Sequence, residues 1–283
     1  MDYKIMRNGV KIPALGLGCF KSEKEQGIIA VRSAIEIGYR HIDTANFYEN
    51  EQYVGQAIRE SGIDRKELFV VSKIWPTSYK TPEVAIEYSM RALDIDYIDM
   101  YLLHWPSQNE YARNHAFETL LKYREKGWFK EVGVSNFKKE HLEKLKETFG
   151  LYPMMNQIEL SPWLQKKEDY DFCLANDITM TACVPFAKGN ILSEPQLQQI
   201  AEKHGKNVGQ VILRWNIQRG NCVIPKSSKP SRIADNFNIF DFQLDSQDMD
   251  IIGTLENGNS YCSDSSVFTG DFWNIEERLL NMK

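Results

Sequence analysis

The 283-residue chain is poor in cysteine: it has five, at positions 19, 173, 183, 222 and 262, none in C-x-x-C spacing. An odd number cannot all pair within one chain, so reduced thiols serving as small apolar side chains are expected, and a Cys/His metal site is not. Positive charge is not in excess either. With 34 Lys+Arg against 39 Asp+Glu, the net charge of -5 supplies no global field to hold nucleic acid or an acidic membrane. No apolar run approaches bilayer length, and the start, Met1-Asp2-Tyr3-Lys4, lacks the basic-then-apolar order of a signal peptide. A cytoplasmic monomer without nucleic-acid or membrane partners is the expectation. At 42% hydrophobic and 12% aromatic, the chain is too apolar to remain disordered.

No Pro/Gly/Ser-rich linker interrupts the sequence, which argues for one continuous domain over 1–283. Residues 3–13 are two short runs around Asn8-Gly9, the dipeptide suited to a two-residue hairpin turn. After them, β-rich runs near 14–18, 39–44, 68–73, 98–105, 129–135, 154–160, 178–184 and 222–225 alternate with stretches of helical periodicity. These cover 25–37, 51–60, 83–93, 116–126, 139–148, 167–175 and 208–218. Such alternation predicts parallel strands with right-handed crossovers, and eight units can close into a (β/α)8 TIM barrel preceded by the hairpin. An open dinucleotide-binding sheet is not supported: Gly16 and Gly18 begin a G-x-G-x-x-G, but its third glycine position holds Lys21. The pair reads instead as a tight strand end.

Asp43, Lys73 and His104 end three successive predicted strands, one strand-plus-helix unit apart. In a parallel barrel the carboxyl ends of the strands open into one mouth, so these residues can converge there, with Tyr48 leaning in from the loop after Asp43. The four types suit delivery of a proton to a carbonyl oxygen while hydride reaches its carbon. A phenol holds its proton at neutral pH, a neighbouring Lys73 is expected to lower the phenol's pKa, and Asp43 keeps that ammonium charged. His104 serves best as a neutral imidazole that donates a hydrogen bond to the substrate oxygen. Taken singly, each of these residues is more often part of an ordinary ion pair or a satisfied core group; the conjunction is what points to chemistry.

The pieces His41-Ile-Asp-Thr-Ala-Asn-Phe-Tyr48, Lys73-Ile-Trp-Pro76, Leu103-His-Trp-Pro106, Gly133-Val-Ser-Asn-Phe137, Asn156-Gln-Ile-Glu159 and Ile224-Pro-Lys-Ser227, followed by Arg232 and Asn236, span nearly the whole chain. In them the chain resembles the aldo-keto reductase superfamily. That resemblance implies Tyr48 as general acid/base in a tetrad with Asp43, Lys73 and His104. It also implies that Ser135, Asn136 and Gln157 bind the carboxamide of a nicotinamide cofactor, although Ser-Asn can equally cap a helix or form a turn. Beyond the eighth strand, Lys226, Ser227 and Arg232 gather positive charge and a hydroxyl beside a predicted helix start. This suits the extra phosphate of NADPH, with Asn236 following in the same motif; a solvated basic turn is the alternative.

The sequence departs from the family pattern where Cys183 replaces the aromatic ring that stacks on the nicotinamide, at an expected cost of about 0.5–1.5 kcal/mol unless Phe186 compensates. Ser161 stands where His is common, and Asp235 where Glu is usual. Around the mouth, Phe20, Phe47, Trp75 and Trp105 are candidates for an apolar wall suited to an aldehyde or ketone. Residues 261–273 are a candidate cover, and 273–280 have the spacing of a short tail helix that would leave the pocket comparatively open. Two rival readings remain: a non-catalytic NADPH-binding sensor, and a metal-dependent hydrolase using His41, Asp43 and His104. The latter leaves Tyr48, Lys73 and the basic turn without roles.

Overall fold

A computed structural model describes residues 2–22 and 24–273. The chain opens with an antiparallel hairpin, β1 (Tyr3–Ile5) and β2 (Lys11–Pro13), in which Tyr3 faces Pro13 and Ile5 faces Lys11. Its connection is one residue longer than the sequence suggests. Met6 N–H donates to Val10 O and Gly9 N–H donates to Met6 O, so three residues lie in the loop, the last being Gly9 at φ +85°. That left-handed residue is the bulge closing a three-residue hairpin, the alternative to a two-residue turn.

Eight parallel strands follow: β3 (Leu17–Gly18), β4 (His41–Asp43), β5 (Phe69–Ile74), β6 (Ile98–Leu103), β7 (Phe129–Ser135), β8 (Met155–Glu159), β9 (Thr179–Cys183) and β10 (Cys222–Val223). They pair in sequence order. Bridges Leu15–Val223 and Gly18–Lys226 then join the first strand to the last and close the ring. A side chain at either glycine of that seam would collide: a Cβ on Gly16 would sit 2.7 Å from the His41 ring, and one on Gly18 3.0 Å from Ile224 O. The tight-strand-end reading of the pair therefore holds.

The helices are α1 (Lys24–Ile37), α2 (Glu51–Ser61), α3 (Pro82–Leu93), α4 (Glu110–Glu125), α5 (Lys139–Phe149), α6 (Lys167–Ala175), α7 (Pro195–Lys203), α8 (Val208–Gln218), α9 (Pro230–Phe237) and α10 (Ser246–Gly253). The first six and α8 match the periodic stretches of the sequence, α4 starting six residues earlier than its pattern shows. Helices α7 and α10 were not expected; they pack with α8 in a satellite cluster around Leu197, Ile200, Trp215 and Ile252. No helix among the described residues is long and apolar enough to cross a membrane.

Strand periodicity sorts the barrel into two environments. One parity, including Ile42, Val70, Tyr101, Leu103 and Ile158, is buried with helix residues such as Ala30, Ala57 and Phe117. The other parity lines the interior. At the hairpin end, Phe69, Val71, Met100, Leu102 and Met155 form an apolar plug with Met6 and Ile12. Two residues further along the same faces, the interior becomes polar: Lys73 follows Val71, His104 follows Leu102, Gln157 follows Met155 and Asp43 follows His41. An apolar floor thus carries polar groups at the carboxyl ends of the strands, the end where parallel barrels place their chemistry.

Candidate active site

Four of the sequence-selected residues meet at that mouth. Lys73 Nζ lies 2.6 Å from Asp43 Oδ1, 2.7 Å from Thr44 O and 3.5 Å from Tyr48 Oη, with both charged side chains fully buried. Tyr48 is delivered by a 3₁₀ turn, Asn46–Tyr48, that starts three residues after Asp43 and ends at Glu49 with φ +54°. Asn50 secures this turn: it accepts from Thr44 Oγ1 at 2.7 Å and donates to Cys19 O and Ser22 O. The His104 ring stands edge-on to Tyr48 with centroids 5.6 Å apart.

The protonation states suit a proton donor beside a hydrogen-bond donor. Burial pushes the Tyr48 hydroxyl well above its ordinary value, the Asp43 charge adding to the effect, so the phenol keeps its proton. This reverses the expected direction. The Lys73 ammonium was expected to acidify the phenol, but it is paired with Asp43, and loss of solvent around the ring outweighs its pull. Burial holds His104 well below its ordinary value, with Lys73 acting in the same sense, so the imidazole is neutral. Its Nδ1 is buried and has no partner among the described residues, which assigns the proton to Nε2, since an orphaned N–H at Nδ1 would be the costlier arrangement.

Ser135, Asn136 and Gln157 form the adjoining rim and are interlinked. Ser135 Oγ donates to Gln157 O at 2.8 Å, Asn136 Nδ2 donates to His104 O at 3.0 Å, and Gln157 Nε2 donates to Asp43 Oδ2 at 2.7 Å. Asn136 takes a left-handed φ of +61°, which places its amide at the strand end. The carboxamide oxygens of Asn136 and Gln157 accept no hydrogen bond within the described residues and stand ready as acceptors. Across the ring seam, Lys226, Ser227 and Arg232 surround the start of α9. Lys226 Nζ donates to Lys21 O at 3.2 Å, Ser227 Oγ receives Lys229 N–H at 3.2 Å, and the exposed Arg232 pairs with no carboxylate among the described residues. Asn236 is half-buried on the same helix, without a described side-chain bond. These residues fit the two ends of a nicotinamide dinucleotide: amide acceptors at the mouth, and donors and cations beside a helix N-terminus.

The aromatic residues divide differently from the sequence reading. Phe20 is exposed and packs beside Tyr48, with centroids 5.0 Å apart, as a wall residue should. Trp75 and Trp105 are buried, because the chain beyond 258 lies over them. Phe268 stacks on Trp105 at 4.1 Å, Phe47 stacks on Trp75 at 3.9 Å, and Trp75 Nε1 donates to Gly270 O at 2.8 Å. Thr77 Oγ1 bonds Trp273 O, and Trp273 Nε1 bonds Glu49 Oε1. The expected cover over 261–273 is thus in place and tied down; the tail helix expected over 273–280 lies outside the described residues beyond Trp273.

Cys183 ends β9, half-buried, its thiol pushed well up by burial. His41 lies toward the hairpin end, Nδ1 3.2 Å from Pro13 O, while Asp43 is engaged by Lys73 and Gln157. Among the described residues no group of three or more His, Cys, Asp or Glu could hold a metal ion. Sequence reasoning assigned nothing to Glu159, although its motif was visible: fully buried, it receives Ser260 Oγ and the Tyr261 and Cys262 N–H groups.

A closed (β/α)8 barrel with a phenol, an ammonium–carboxylate pair and a neutral imidazole at its mouth is the architecture of a carbonyl oxidoreductase. Comparison with known proteins places it within that class: residues 14–257 match the aldo/keto reductase family, and the chain belongs to that family. It is similar to glyoxal reductase of Bacillus subtilis strain 168, 45% identical over 253 residues that cover 88% of this chain and 91% of that one. Methylglyoxal reductase DkgA of Escherichia coli K12 is 36% identical over 267 residues, covering 94% and 97% respectively. Among solved structures, an aldo/keto reductase from Brucella melitensis is 42% identical, with a TM-score of 0.87 over 90% of this chain and 99% of that one. The protein is therefore an oxidoreductase of a family that reduces carbonyl groups with NAD(P)H.

Proposed function

We propose that the protein reduces small aldehydes with NADPH, Tyr48 supplying the proton. The observation that carries this reading is the buried contact series Gln157–Asp43–Lys73–Tyr48 beside a neutral His104. Bound nicotinamide supplies the hydride. The protein's own groups do the rest. His104 Nε2–H orients the carbonyl oxygen by a hydrogen bond, and Tyr48 gives its proton to that oxygen as negative charge develops. Lys73 faces the phenol at 3.5 Å and opposes the charge left on its oxygen, while Asp43 holds the ammonium in place.

Asn136 and Gln157 offer acceptors for the cofactor's carboxamide, with Ser135 holding their strand ends together. Lys226, Ser227 and Arg232 offer cations and a hydroxyl for the 2'-phosphate, which favours NADPH over NADH. The wall beside Tyr48 consists of Phe20, with Trp75 and Trp105 beneath the aromatic cover. The similarity to a glyoxal reductase and a methylglyoxal reductase supports 1,2-dicarbonyl compounds as substrates. The deciding experiment is steady-state turnover of the purified protein with glyoxal, methylglyoxal, benzaldehyde and a keto ester against both reduced nicotinamides. Aldehyde-dependent oxidation of NADPH, faster than that of NADH, is expected. Saturable NADPH binding with no turnover across the panel would favour a sensor instead.

A further inference from the structure

One side chain that the function leaves unused at the mouth is Glu159. It ends β8 two residues beyond Gln157 on the same face, and it has no exposed surface. A carboxylate in such a place usually lies against a lysine or arginine. Here no described cation pairs with it, and every partner belongs to one short stretch a hundred residues further along the chain. Its Oε1 accepts the Tyr261 N–H at 2.9 Å, while Oε2 accepts Ser260 Oγ–H at 2.8 Å, the Cys262 N–H at 3.0 Å and a longer bond from Tyr261 N–H at 3.1 Å. All the partners are donors and both oxygens are used, so the arrangement calls for a group that only accepts.

The stretch it grips is the root of the aromatic cover. Beyond Cys262, Lys138 Nζ reaches Asp264 Oδ1 at 3.0 Å and Ser266 Oγ, and Gln108 Nε2 reaches Ser265 O. Phe268 then lies on Trp105 and against Trp75, Phe272 and Trp273 stand edge-on to Trp75 and Phe47, and Trp75 itself stands edge-on to His104 at 5.0 Å. The bonds from Lys138 are exposed and therefore weak anchors. The bonds to Glu159 are partly buried and charge-assisted, their acceptor lying wholly inside the barrel rim. Glu159 thus joins the rim of the barrel to the segment that covers it.

We propose that Glu159 is a positioning residue for carbonyl reduction: its carboxylate fixes Ser260–Cys262, and through them sets where Phe268, Phe272 and Trp273 stand above Trp75 and His104. It touches none of the reacting groups of the proposed reaction. Its effect is on how the aldehyde is held, and this part of the inference rests on the function proposed above.

Glu159→Gln tests it, because an amide keeps the size and places an N–H donor against N–H donors. Hydrogen exchange of the ligand-free protein should show the Tyr261 and Cys262 amides losing protection by about tenfold or more, while the barrel strands keep theirs. In kinetics, KM for a small aldehyde should rise about tenfold, with kcat changed less than about threefold and NADPH affinity unchanged. Ser260→Ala, which removes one donor from an exposed residue, should move both readouts in the same direction by less, and it serves as the test if Glu159→Gln does not fold. Unchanged protection of the Tyr261 and Cys262 amides would overturn the inference, as would kcat falling with KM constant. If the wild-type protein turned over no aldehyde, the function would fail on its own account, while the exchange measurement would still decide whether Glu159 holds the segment.

Discussion

Gln157 Nε2 donates to Asp43 Oδ2 at 2.7 Å, while Lys73 holds the other oxygen of the same carboxylate at 2.6 Å. The Asp43 carboxylate is therefore gripped from two strands, β5 on one side of the barrel and β8 on the other. Losing the two grips should not cost the same. Lys73→Met strands a buried carboxylate without its counter-charge and should destabilise the fold by about 3–5 kcal/mol. Gln157→Leu removes a neutral donor and should cost about 1–3 kcal/mol. Urea unfolding of the two variants at pH 7.5 checks the order, and equal losses would mean that the ammonium is not what keeps Asp43 buried.

Tyr48→Phe retains the ring that packs on Phe20 and removes only the hydroxyl. Aldehyde reduction should fall by about 10²–10⁴-fold in kcat, while NADPH affinity stays near wild type. Stopped-flow single turnovers with a fluorescence titration of cofactor separate the two quantities. Wild-type turnover in this variant would remove Tyr48 from its role.

Glu51, at the start of α2, is buried; Ser72 Oγ donates to its Oε1 at 2.5 Å, and its Oε2 has no described partner. Burial pushes its carboxyl up to about 7, against an unfolded value near 4.5. Between those values the folded protein binds a proton that the unfolded chain has lost. This contribution to stability is complete below about 4.5 and lost as pH rises through about 7. Glu51→Gln, which cannot ionise, should match wild type near pH 5 and exceed it by a few kcal/mol at pH 8. Melting temperatures of both proteins across that range give the answer; parallel curves would show that Glu51 does not titrate in the fold.

Lys226 and Arg232 flank the start of α9 on the far side of the seam from Gly18. Replacing both with Met should narrow the affinity ratio of NADPH to NADH by about tenfold or more, mainly by weakening NADPH. Isothermal titration with both cofactors measures it. A constant ratio would place the recognition of the phosphate elsewhere.

What could be read from the sequence was whatever repeats at a fixed interval. The one-unit spacing of Asp43, Lys73 and His104 gave the mouth, because parallel strands carry period and direction together. Seven helices were read from apolar periodicity; α7 and α10 were passed over, although Leu197, Ile200 and Ala201 have helical spacing, because they are additional to the one-helix-per-strand alternation. The hairpin loop was misjudged by one residue because Asn-Gly serves both loop lengths, and only the Met6–Val10 bond distinguishes them. The direction of Tyr48's shift was illegible, since it follows from how densely the mouth is packed. Trp75 stands beside His104, but its burial and that of Trp105 depend on Phe268 and Gly270, far along the chain. Glu159 was visible within Asn156-Gln-Ile-Glu159 yet mute, because its partners sit at 260–262 with no local pattern to announce them.

The seam between Leu15 and Val223 also dictates when the molecule can be finished. Its two sides are separated by roughly two hundred residues of chain, so during synthesis the first strand must wait, one edge unpaired, until nearly the whole polypeptide has left the ribosome. A chain cut short before Cys222 would hold Asp43, Lys73 and His104 on neighbouring strands and still have an open edge ready to join another molecule.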